Sequence, residues 1–126
     1  MKRSYLLVVS AGIATVFGVA LVLATGPLLS IYGMTVDKTG TVIAQLFGSL
    51  LIGFAVLNWF ARDVTDPAGQ RAVGLGNLAG DAVGLVVILV GQLAGIANQL
   101  GWTNVVIYLL LTMAWAYVQF VQREGT

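Results

Sequence analysis

Apolar residues run along this chain in four long stretches, at approximately 5–25, 41–61, 71–95 and 103–121, separated by short polar breaks. A membrane-crossing helix needs about 20 mostly apolar residues, and each stretch meets that length. Backbone groups inside lipid must be bonded within their own segment, so helices are the expected form. Transmembrane strands would be about half as long and would alternate strictly, which these stretches do not. The pattern predicts one domain over 1–126: an all-α, polytopic, antiparallel bundle of four transmembrane helices.

The breaks have physical causes. Gly26 and Pro27 should stop the first helix, because proline cannot continue the hydrogen-bond ladder. Asp66 followed by Pro67 reads as an N-cap and a first helical position, so the third helix can begin a turn before its apolar part. Thr103 is expected to cap the fourth helix. The segment "PLLSIYGMTVDKTG" is partly apolar and is expected to lie along the interface. The start, "MKRSY" and an apolar run, imitates a secretory signal. The run exceeds the usual signal core of about 7–15 residues, so a retained first helix is expected.

Within the stretches, polar residues fall on faces. At 100° per residue, Gln70, Asn77, Asp81, Gln92 and Gln99 cluster within about 60° on the third helix. Gly74, Gly84 and Gly95 share that face. Such a face should turn into a bundle or a wet cavity. Gly76, Gly80 and Gly84 form an adjoining line of small residues that permits close helix approach, within the bundle or at an oligomer contact. On the fourth helix Asn104, Tyr108, Thr112, Trp115, Gln119 and Gln122 recur at spacings of four and three. The second helix offers Gln45 and Ser49 on one side and Gly48, Ala55, Asn58 and Arg62 on another. The first offers Ala11, Thr15, Gly18 and Thr25. Inward-turned faces of this kind give a bundle with a partly polar interior.

Asp81 stands out. It lies ~15 Å along the helix from Arg71, near the middle of a ~30 Å hydrocarbon core. No basic residue is predicted at its depth. It is therefore expected to spend much of its time protonated and hydrogen-bonded to Asn77, Thr15 or Thr112. Two roles stay open: a proton, ion or ligand site, the default for an intramembrane acid, or packing glue worth ~0.6 kcal/mol per cross-helix bond. The candidate ligand- or ion-binding set is Asn77, Asp81, Gln92, Tyr108, Thr112, Trp115 and Thr15. Tyr108 and Trp115 serve either as buried lining or to stack on a ligand. Trp59 and Trp102, near helix ends, read as interface anchors.

Composition narrows the classes further. The 126 residues are 59% hydrophobic and only 9% charged, against roughly 25% charged in soluble domains. There is no cysteine and no histidine, which removes disulfides, thiolate chemistry and most zinc or haem ligation. The net charge of +1 suggests no nucleic-acid partner. Four crossings put Lys2, Arg3, Arg62, Arg71 and Arg123 on one side and Lys38 on the other, so both termini are expected in the cytoplasm. Arg62 and Arg71 read chiefly as orientation signals. A plasma (inner) membrane location follows as the expectation.

Catalytic constellations are missing: Asp81 is the lone acid within the spans, and a serine would lack a histidine base. "GLGNLAG" is one residue longer than the dinucleotide fingerprint and follows no strand. No catalytic residue, cofactor or metal is assigned. "GNLAG" (76–80) is a little like a helix of double-barrelled fluoride channels, but their phenylalanine-rich broken-helix box is absent. Small multidrug exporters depend on a glutamate in the first helix, and this first helix has no acid. "QLFGSLLIGFAVLNWFAR" (45–62), followed by the glycine-rich third stretch, resembles uncharacterised small prokaryotic four-helix membrane proteins. That resemblance covers about half the chain and implies a fold without an activity.

The expected function is thus a non-enzymatic membrane subunit, associating with itself or with other membrane proteins in the lipid bilayer. Its partly polar interior could hold a lipid or small ligand. The alternative is a small transporter or channel that uses Asp81 as a proton- or cation-coupling site. A membrane enzyme acting on a lipid is the third reading.

Overall fold

The computed structural model describes residues 2–121. Gln122 of the fourth polar face, Arg123 of the charge distribution and Glu124 lie outside the described residues. Every element there is helical: α1 (Arg3–Leu23), α2 (Thr25–Ile31), α3 (Lys38–Ala61), α4 (Pro67–Leu93) and α5 (Gly101–Ala116), which continues as a π-helical turn at Tyr117–Val121. Four of these, α1, α3, α4 and α5 with its continuation, are long and apolar enough to cross a membrane.

The helix ends follow local chemistry. Asp66 caps α4, its side chain accepting from the Gly69 N–H at 3.0 Å, and Pro67 stands in the first turn, as its sequence predicts. Asp37 caps α3 in the same way, accepting from the Gly40 N–H at 2.7 Å. That cap starts α3 before the apolar run does. Helix α1 ends at Leu23 rather than residue 25, since Ala24 leaves the helical region at φ −142°, ψ 50°. The chain then re-enters a helix, with Pro27 in the first turn of α2, where its missing N–H costs nothing.

Thr103 does not cap the fourth helix. It lies within the first turn of α5 and returns its hydroxyl to the Leu100 carbonyl at 2.6 Å, while Asn98 accepts from the Leu100 N–H at 3.0 Å. Gly95 (φ +78°) and Gln99 fall in the connection after α4, so they leave the polar face expected for that helix.

The helices associate as two antiparallel pairs, α1 with α3 and α4 with α5, and contact between the pairs is sparse. Gly18 and Gly48 set the first crossing. A Cβ on Gly18 would stand 2.9 Å from the Gly48 carbonyl, and one on Gly48 would stand 2.8 Å from the Gly18 carbonyl. Ala11, Ala14 and Ala55 continue the seam. In the second pair, Gly84 accommodates the Tyr108 ring, and Gly74 leaves room for the Gln119 and Arg3 side chains.

One core cluster, Leu6, Leu7, Ala61, Trp115 and Val118, joins the pairs near the chain termini. Outward faces are apolar: Val16, Leu46, Leu57, Phe60, Val83 and Val87 are all exposed. Contiguous surface of this kind marks a membrane or partner-facing exterior.

Candidate functional site

The two helix pairs are fastened to each other at both ends. At the terminal end, Asn58 of α3 and Asn77 of α4 exchange side-chain amide bonds of 2.9 and 2.8 Å, both residues fully buried. Trp115 Nε1 donates to Ser10 Oγ at 3.3 Å. Arg3 reaches across from α1, donating to the Gln70 carbonyl at 3.0 Å and to Gln119 Oε1 at 3.3 Å. At the opposite end, the Tyr32 hydroxyl meets Asn104 Oδ1 at 3.4 Å, and Asn98 donates to the Ile31 carbonyl at 3.0 Å.

Between these fastenings the pairs part around a cavity of about 530 Å³. Its wall is mostly apolar, built from Ile13, Phe17, Leu21, Leu51, Phe54 and Ile107 among others. One flank is open, because the lining residues Phe47 and Leu50 of α3 remain 46% and 74% exposed and Gly80 of α4 is exposed too. Pockets that hold small ligands run about 300–1,000 Å³ and combine apolar walls with a few polar groups. This cavity has that size and character.

Three of the seven candidate residues line it: Asn77, Asp81 and Tyr108. Asp81 is 9% exposed and sits near the middle of α4. Among the described residues it is the only acid on the wall, and no basic side chain accompanies it there. Asn77 is committed to Asn58 and to the Val73 carbonyl at 3.0 Å, so its amide holds the fold together.

The other four lie elsewhere. Thr15 is exposed on the outer side of the α1–α3 pair and donates back to the Ala11 carbonyl at 2.7 Å. Its hydroxyl is satisfied within its own helix, so nothing pulls it inward. Gln92 donates to the Asn98 carbonyl at 2.9 Å and secures the α4–α5 connection. Trp115 is fully buried in the terminal core rather than on the cavity wall. The pairings of Gly84 with Tyr108 and Gly74 with Gln119 place Thr112 opposite Asp81, yet its enclosed Oγ1 has no partner among the described residues. The bonds expected from Asp81 to Asn77, Thr15 or Thr112 are not formed: the carboxylate accepts none from the described residues.

The small-residue line divides likewise. Gly84 packs against Tyr108, whereas a Cβ on Gly76 or Gly80 would meet nothing within 4 Å. Sequence reasoning missed Arg3, Ser10 and Tyr32 as fastening residues. Arg3 reads as an orientation charge, and the signal for its inward turn is Gly74, whose missing side chain opens the space its guanidinium enters. Arg62 lies over the Trp59 ring at 3.8 Å. No family model matches the chain, and no curated protein or solved structure is recognisably similar to it.

Proposed function

We propose that this is a non-enzymatic, multi-pass protein of the plasma (inner) membrane that takes an apolar, lipid-like molecule from the bilayer into the space between its helix pairs. It would work as a subunit of a homo-oligomer or of a larger membrane assembly, with both termini cytoplasmic. The cavity carries this reading: its wall is apolar and its open flank lies between two helices apolar enough to span a membrane. A ligand entering there would come from lipid without crossing water. Gly76, whose Cβ position meets nothing within 4 Å among the described residues, leaves a surface free for a neighbouring subunit.

Native mass spectrometry of protein purified in mild detergent tests the proposal. Wild type should carry a co-purifying apolar molecule. Gly80→Phe, which places a ring where the fold has open space at the mouth, should lose that molecule while keeping the wild-type melting temperature. Equal occupancy in both proteins would remove the reading. The second reading, a small proton- or cation-coupled transporter, draws on the unpaired position of Asp81 on the wall. It requires pH-dependent flux in liposomes that Asp81→Asn abolishes without unfolding the protein.

A further inference from the structure

Resting on the ligand-holding reading, we infer that the molecule held beside Asp81 is a lipophilic amine, an apolar chain or ring system carrying one basic nitrogen. Of the other polar side chains of the wall, Asn77 is engaged with Asn58, Ser10 with the Trp115 indole, and Asn104 Oδ1 with Tyr32. The Tyr108 hydroxyl, on the same wall as Asp81, has no partner among the described residues and adds a neutral polar group but no charge. Asp81, a residue only 9% exposed, accepts no hydrogen bond from the described residues, and no basic side chain stands on the wall beside it. An uncompensated carboxylate in an apolar enclosure is costly, and a cation hydrogen-bonded to it removes that cost.

The chemistry balances. A neutral amine arriving from lipid takes the proton of the Asp81 carboxyl, giving an ammonium paired with a carboxylate, so no net charge is carried into the membrane. The ammonium N–H groups then donate to the carboxylate oxygens, a charge-assisted contact roughly twice as strong as a neutral one. Phe17, Phe47 and Phe54 add aromatic surface to the wall that can bury the molecule's apolar part. A zwitterionic lipid headgroup fits poorly, because its phosphate would face a wall without a basic side chain.

Protein in mild detergent is titrated with dodecylamine, with dodecanol and with a phosphatidylethanolamine, and bound probe is counted by native mass spectrometry. Wild type should bind one dodecylamine at least about tenfold more tightly than dodecanol, and phosphatidylethanolamine should not compete. Asp81→Asn should bring amine and alcohol to equal affinity, and Asp81→Glu should restore the preference. Equal binding of amine and alcohol by wild type, amine preference surviving in Asp81→Asn, or displacement of the amine by the phospholipid would each overturn the head-group assignment while leaving the cavity as a ligand site. Failure of all three probes to distinguish wild type from Gly80→Phe would overturn the cavity reading itself.

Discussion

At the scale of single residues, the amide pair Asn58–Asn77 shows what a polar group does in an apolar interior. Each side chain is fully buried, and each gives the other a donor and an acceptor. Replacing one, as in Asn58→Leu, strands the surviving amide. The expected cost is about 1–3 kcal/mol, above the ~0.6 kcal/mol average of a cross-helix bond. Removing both, as Asn58→Leu with Asn77→Leu, should be less damaging than either alone, because no orphan remains. Thermal unfolding in detergent, run as a double-mutant cycle, checks the order. The inward turn of Asn77 and Asp81 was legible from their common face on one helix. Their partners were not, because periodicity gives an angle about one axis and not the rotation of the facing helix. Thr15, expected beside Asp81, faces outward for that reason, and Asn77 pairs with Asn58 of a helix whose rotation its own periodicity does not reveal.

At the scale of elements, close packing comes from a crossing and not from a ladder. Gly18 and Gly48 bring two backbones together, and any side chain there must push the helices apart. Gly48→Leu should therefore lower the melting temperature and disturb the α1–α3 pair, whereas Gly76→Leu should leave the monomer's stability unchanged. If Gly76→Leu is the more disruptive substitution in a dispersed monomer, the assignment of these glycines is reversed. The three-membered glycine line was conspicuous in the sequence because it repeats. A crossing that uses one glycine from each of two distant stretches leaves no period to see. Helix starts divide similarly: Asp66 beside Pro67 was legible, while Asp37 acts through a side chain set apart from the apolar run it introduces.

At the scale of the whole molecule, the four helices long and apolar enough to cross a membrane were legible because length and apolarity suffice to mark them. Which helices pair was not legible, since every span offers both an oily side and a small or polar one. The proposed orientation has a direct check. The chain contains no cysteine, so Thr35→Cys and Thr65→Cys each introduce a single thiol. A membrane-impermeant maleimide added to intact cells should label the first and spare the second; the opposite result would invert the topology.

The sparse contact between helix pairs has one more consequence. Each pair is a consecutive length of chain, α1 to α3 and then α4 to α5, and only the short connection after Ala61 links them covalently. On the proposed membrane reading, each half is thus a hairpin that can enter the bilayer before it meets the other. Two separately translated fragments, divided between Asp63 and Asp66, should find one another and co-elute as a stoichiometric complex. Substituting Asn58 or Arg3 should weaken that complementation before it unfolds either fragment.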